Sequence, residues 1–178
     1  MKTAGICVGA STITIAEIRT DGNSVEVERT QAIPHEGNPR KILSELFCQG
    51  FADRPDRVVI TGRKLRHLVN ATSIPEPEAL EEAYRWWSKT TGKKAGTLVS
   101  AGGETVMVYK LDGNGRVIGV RSGNKCASGT GEFFLQQLKR MDLSVEEAMA
   151  VADARNPYKV AGRCSVFCKS DCTHALNK

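Results

Sequence analysis

Apolar and polar positions change rhythm several times along the chain. Thr3 to Val8, Thr12 to Arg19 and Ser24 to Gln31 are short β-branched stretches, and in the last Val25 and Val27 alternate with Glu26 and Glu28. Alternation of period two predicts strands. Gly9-Ala10-Ser11 and Asp21-Gly22-Asn23 separate the three stretches, and the second triplet is a strong turn signal, so the chain opens as an antiparallel meander. The rhythm then becomes helical from Pro39 to Gln49, where Ile42, Leu43, Leu46 and Phe47 share one face behind Asn38, a suitable N-cap. Arg57 to Thr61 reads as a short apolar strand. Helices are expected over Lys64 to Asn70 and Pro77 to Thr90, and extended chain resumes at Thr97 to Val99.

The pattern then restarts. Glu104 to Leu111 and Arg116 to Arg121 are strands joined by the hairpin turn Asp112-Gly113-Asn114-Gly115. Gly129-Thr130-Gly131 opens a helix over Glu132 to Met141, Ser144-Val145-Glu146-Glu147 is a capping box for another to about Ala154, and Cys164 to Leu176 reads as a third. The restart places a boundary near Val99, dividing the chain into 1–97 and 98–178.

Composition narrows the function. At 178 residues the chain is long enough for a real core, and 40% apolar with 25% charged residues is ordinary for a globular protein. Lys and Arg number 25 against 20 Asp and Glu, a formal +5, with the signs interspersed; neither a nucleic-acid nor a membrane partner is expected. No run approaches the ~18 apolar residues of a membrane span. Ala4 to Ala16, the nearest thing to a signal peptide, is interrupted by Ser11, Thr12 and Thr14, and the chain reads as cytoplasmic. Six cysteines in a reducing compartment favour metal binding or reactivity over disulfides.

Four of the six fall in the last third: Cys126, Cys164, Cys168 and Cys172. At ~100° per residue the last three occupy an arc of roughly 80° on one helix face. A metal or cluster needs thiolates from more than one segment, and Cys126, before the Gly-Thr-Gly helix start, supplies the second. There the helix dipole and Lys125 favour the thiolate. The plainer reading makes these cysteines buried, small apolar residues. A second constellation is the glycine turns: Gly9 to Thr12, Gly102-Gly103 and Gly129-Thr130-Gly131 expose backbone N–H groups without Cβ obstruction, as phosphate sites require. Of Trp86 and Trp87, neighbours on one helix, one is expected in the core and the other at a partner surface. The basic run Arg63, Lys64, Arg66 and His67 reads as a solvated helix face, His35 and His174 have no companion at ligand spacing, and no Ser-His-Asp or paired-carboxylate set stands out as catalytic.

The run Gly-Asn-Lys-Cys-Ala-Ser-Gly-Thr-Gly-Glu-Phe-Phe at 123–134, with Cys164-Ser165-Val166-Phe167 after it, resembles the activator ATPases of 2-hydroxyacyl-CoA dehydratases and benzoyl-CoA reductases. These belong to the actin-like ATPase superfamily. The resemblance extends over essentially the whole chain and includes Ile60-Thr61-Gly62-Arg63. It implies an α/β, ribonuclease H-like fold of mixed sheets flanked by helices, with one full lobe, part of a second, and ATP with magnesium in the cleft between lobes. It also implies a four-iron four-sulfur cluster shared by a homodimer, onto whose ligands Cys126 and Cys164 map. ATP would drive an electron from ferredoxin or flavodoxin through the cluster into an acyl-CoA dehydratase or reductase, with Gly9, Ser11, Thr12, Gly102 and Gly103 in the phosphate turns.

Three departures qualify this. The family has Asp where this chain has Cys7, and Asp again where it has Ser100; a thiol or hydroxyl is a poor substitute beside a hard cation. Activators also continue for roughly another subdomain, so the chain looks like an N-terminal piece. Two other readings therefore stand beside the redox activator: a zinc-binding structural module using the four late cysteines, and a nucleotide-binding regulator that does not hydrolyse ATP.

Overall fold

The computed structural model describes residues 1–178 except 23, 50, 52–53, 63–65, 124–130, 163 and 178. The order of elements is β1 (Lys2–Val8), β2 (Thr12–Asp21), β3 (Ser24–Pro34), α1 (Pro39–Gln49), β4 (Arg57–Thr61), β5 (Thr72–Ser73), α2 (Glu76–Thr91), β6 (Thr97–Ala101), β7 (Val106–Leu111), β8 (Val117–Ser122), α3 (Gly131–Arg140), α4 (Val145–Val151) and α5 (Ser165–Leu176). The chain divides into two compact units, Met1–Leu98 with Tyr109–Val120, and Val99–Val108 with Arg121–Lys178. β6, β7 and β8 form a three-stranded sheet in that order.

The first unit holds a five-stranded sheet in the order β3-β2-β1-β4-β5. β1 is antiparallel to β2 and parallel to β4, so the meander expected from the opening turns is present and a helical crossover through α1 brings in β4. Register follows burial. Ile6 faces Ile15 and Ile60, and Val8 faces Ile13. With Leu43 of α1 these residues make the buried core, each contributing about 1.5–3 kcal/mol by leaving water. The Asn38 cap is also present, its Oδ1 accepting the Lys41 N–H at 3.2 Å.

Two local expectations change. Where a helix was expected over Lys64 to Asn70, the described residues show only a single 3-10 turn, Arg66–Leu68, followed by β5 paired parallel to β4. Leu68, Val69 and Ala71 pack against the core cluster, and sheet pairing overrides helix propensity there. Neither tryptophan of α2 enters the core: Trp86 is 38% and Trp87 36% exposed. Instead the Trp86 indole donates to the Val25 carbonyl on the edge strand β3 at 3.2 Å, and the Trp87 ring lies against Tyr84. A shift of register opposite Glu17 and Ile18 adds a bulge to the same edge strand, so an indole and a bulge both interrupt an edge open to foreign strands.

In the second unit, α3 packs against α4 and α5, and Arg140 of α3 donates to Thr173 of α5. α4 begins with the expected capping box, Ser144 and Glu147 bonding each other's backbone N–H, but ends at Val151 rather than near Ala154. α5 turns Cys168 inward and leaves Val166 and Phe167 outside. Among the described residues, no helix is long and apolar enough to cross a membrane.

Candidate functional site

The first unit's candidate site lies at the carboxyl ends of the parallel neighbours β1 and β4, the end where open α/β sheets bind ligands. β1 leaves the sheet at Val8 and turns back through Gly9-Ala10-Ser11-Thr12, closed by a 2.9 Å bond from the Gly9 N–H to the Thr12 carbonyl. A Cβ on Gly9 would sit 2.9 Å from that same carbonyl, so only glycine closes the turn this tightly. β4 ends at Thr61, beside Cys7 in register, and Gly62 follows at φ +125° with its Cα pressed on Val8: a Cβ there would lie 2.3 Å from the Val8 carbonyl oxygen. Thr61 Oγ1 is buried and has no hydrogen-bond partner among the described residues. Two glycines thus let backbone pack on backbone beside a hydroxyl that still needs a partner among the described residues, and the turn's exposed edge carries Ala10 and Thr12.

Spacing gave no role to His35, yet it is 5% exposed and supports this turn from beneath. Its ring Nε2 lies 3.2 Å from the Gly9 carbonyl, and its backbone N–H donates to the Ser11 carbonyl at 3.1 Å. Its neighbours in space are backbone groups, which leave no residue-type signature in a sequence.

The second unit contains a turn built the same way. The Gly102 N–H donates to the Thr105 carbonyl at 2.9 Å. Gly131, at the start of α3, donates to the Gly102 carbonyl at 3.1 Å, and Glu132 donates to that of Gly103 at 3.0 Å. A Cβ on Gly131 would stand 3.4 Å from the Gly102 oxygen, an ordinary contact, so the backbone bonds and not the missing side chain join the two. Two glycine constellations separate in sequence, Gly102-Gly103 and Gly131, are therefore one structure. Their contact also engages the first N–H groups of α3 internally rather than leaving them for an anion. Gly129 and Thr130 lie outside the described residues.

The thiols are only partly in view. Cys126 lies outside the described residues. Cys164 is the N-cap of α5 and half-buried, with its carbonyl accepting the Cys168 N–H at 2.9 Å. Cys168 is buried and Cys172 half-buried, so the shared face expected from their spacing is the inward face of α5. Burial above all, then the neighbouring Cys172 and the charge of Asp171, pushes the Cys168 thiol up, which keeps it protonated at neutral pH. Asp171 itself accepts the Ala161 N–H at 2.8 Å and ties the chain before α5 to the helix. Among the described residues no three His, Cys, Asp or Glu side chains converge on a metal position. Cys7 and Cys48 are exposed.

No family model matches the chain. Across its whole length it is 25% identical to the 2-hydroxyisocaproyl-CoA dehydratase activator of Clostridioides difficile, of which it covers 67%. Over 69% of its length it is 30% identical to an uncharacterised protein of Methanocaldococcus jannaschii, covering 49% of that protein. Among solved structures, the Clostridium difficile activator of the 2-hydroxyisocaproyl-CoA dehydratase with bound ADPNP superposes with a TM-score of 0.78 at 24% identity, over 99% of this chain and 66% of that one. Component A of the (R)-2-hydroxyglutaryl-CoA dehydratase of Acidaminococcus fermentans gives 0.70 at 21% identity, over 99% and 68%. The chain thus spans about two thirds of the activators it matches and about half of the archaeal protein. The chain is thus similar along its full length to a 2-hydroxyisocaproyl-CoA dehydratase activator, and the path of its backbone is the ribonuclease H-like, actin-like ATPase fold of the two solved activators.

Proposed function

We propose that this chain is a nucleotide-dependent activator module serving an acyl-CoA dehydratase or reductase. The observation that carries the reading is the cradle at the ends of β1 and β4, where Gly9 and Gly62 let the turn and the two strands pack backbone on backbone beside the buried Thr61 hydroxyl, which has no partner among the described residues. Similarity to an activator along the whole chain supports the same reading. Phosphate oxygens fit this cradle. Backbone N–H groups of the Gly9–Thr12 turn, with the hydroxyls of Ser11, Thr12 and Thr61, would hold them; Gly102-Gly103 is a turn of the same construction within the second unit.

Magnesium fits less well. Cys7 offers a soft, weakly donating thiol and Ser100 a neutral hydroxyl where the resemblance to the activators implies carboxylates, and a hard dication discriminates against both. Nucleotide binding with slow hydrolysis follows from that donor set, and it favours a second reading, a regulator that responds to ATP without turning it over.

The thiols fit iron by donor chemistry, since Fe–S clusters are held by cysteine thiolates. Cys126 and Cys164 would hold half of a four-iron four-sulfur cluster, with a second copy of the chain supplying the other half. When bound, such a cluster supplies a one-electron redox couple, fed by a ferredoxin or flavodoxin. Cys168, protonated and turned inward, is the poorest donor of the late cysteines, and Cys172 beside it has no second segment in view to complete a site.

Iron and acid-labile sulfide per chain in an oxygen-free, reconstituted preparation, together with its mass in solution, test the redox half. Two irons per chain in a dimer are expected. A colourless protein without iron rejects the cluster, and zinc in a monomer supports the structural alternative. Titration with ADPNP tests the nucleotide half separately, with micromolar binding expected.

A further inference from the structure

Taking the Gly9–Thr12 turn to be a phosphate site, as proposed above, we infer that His35 is its positioning residue, whose ring holds the Gly9 carbonyl and so aims the Ala10 N–H at the ligand.

The ring's chemistry follows from its neighbours. Gly37 donates its N–H to Nδ1 at 3.2 Å, so Nδ1 presents a lone pair. The hydrogen of the neutral ring is therefore on Nε2, which donates to the Gly9 carbonyl at 3.2 Å. Glu36 at φ +47° and Gly37 at φ +82° are consecutive left-handed residues, and this tight reversal is what carries the Gly37 N–H back to the ring. A glutamate held in that region is strained, and strain of this kind persists where surrounding contacts enforce it. The backbone of His35 is pinned as well, its N–H on Ser11 and its carbonyl accepting the Asn38 N–H at 2.7 Å. With both ring nitrogens engaged and the side chain buried, His35 has no spare group for a metal or a proton transfer.

The effect on the turn is geometric. In a planar trans peptide the carbonyl and the following N–H point in opposite directions. Tying the Gly9 oxygen to the buried ring turns the Ala10 N–H away from it, and Ala10 is exposed. The second unit reaches the same result by another route: there the corresponding carbonyl, that of Gly102, accepts from the Gly131 N–H. His35 does with a side chain what the start of α3 does with its backbone.

Two substitutions separate the ring's two bonds. His35→Gln extends an amide N–H to the position of Nε2 and keeps the Gly9 bond. His35→Asn places an oxygen near Nδ1, keeping the Gly37 bond but losing the Gly9 one. Titrated with ADPNP, the Gln variant should bind within about threefold of wild type and the Asn variant about tenfold more weakly, the scale of one buried acceptor left unpaired. Equal affinity for wild type and Asn, or equal losses in both variants, would overturn the inference, since a general structural role does not distinguish them. Long-range nitrogen-15 spectra of the wild-type ring give a readout independent of any variant: a hydrogen on Nε2 and a bare Nδ1 are expected, and an Nδ1–H tautomer would overturn it. Failure of wild type to bind ADPNP would remove the phosphate reading of the turn, and the aiming role with it, a result distinct from unequal or equal variants of a binding-competent chain.

Discussion

At Gly62 two independent constraints exclude every other side chain: φ is +125°, and a Cβ would collide with the Val8 backbone. Gly62→Ala should therefore destabilise the protein by about 2–4 kcal/mol, at the upper end of ordinary point substitutions, as urea unfolding would show. It should also weaken ADPNP binding, because Val8 leads directly into the Gly9 turn. Cys7 makes a different kind of prediction. Its register partner is Thr61, at the mouth of the same cradle, and replacing the thiol with a carboxylate supplies the hard oxygen donor that magnesium prefers. Cys7→Asp is expected to raise magnesium-dependent ATP turnover well above wild type, measured as phosphate release; no increase would show that the thiol is not what limits hydrolysis. The glycines of both turns were recognisable from residue type. His35 was not, because its partners are the carbonyl of a residue 26 positions away and the N–H two positions on.

Most elements could be anticipated from alternation and turn chemistry. The β7–β8 turn shows how local that information is: the Asp112 carboxylate accepts the N–H groups of Arg116 at 2.8 Å and Asn114 at 2.9 Å, so the four turn residues and the one after them carry their own bonding. The Arg116 bond is the largest cause holding the Asp112 carboxyl below its usual value, with Asn114 adding to it. A group whose pKa is lower when folded stabilises the fold above its unfolded value and loses that contribution as pH falls through the folded one. Stability should thus decline as pH drops below about 4, and Asp112→Asn, which keeps a neutral acceptor, should reduce that slope in thermal melts across pH 2–6. The cap on α4 is equally self-contained, and Ser144→Ala should cost about 1 kcal/mol of stability. β5 is the opposite case. Two residues, Thr72 and Ser73, are strand only because β4 lies alongside, and no window that short carries a period.

For the protein as a whole, the expectations concern assembly. If Cys126 and Cys164 each give one thiolate to a shared cluster, Cys126→Ser leaves two ligands for four irons in a dimer and should abolish iron retention entirely rather than halve it, read as iron per chain after reconstitution. Cys168→Ala, which removes an inward thiol that is protonated at neutral pH, should leave iron content unchanged. Loss of iron in that variant would place Cys168 among the ligands after all.

The linear chain determined by itself whatever depends on near neighbours: the opening meander, the hairpin and cap turns, the glycine positions and the one-sided cysteine helix. Turns and amphipathic faces are decided within a few residues, where side-chain chemistry and backbone sterics act directly. Only the tertiary structure decided that β4 joins β1 in parallel, that Gly102 and Gly131 form one contact, that the face shared by Cys168 and Cys172 turns inward, and that a solitary histidine supports a glycine turn. Each of these depends on backbone groups brought together from distant positions, and a backbone amide is chemically nearly the same at every residue, so the sequence carries no mark of which pairs will meet.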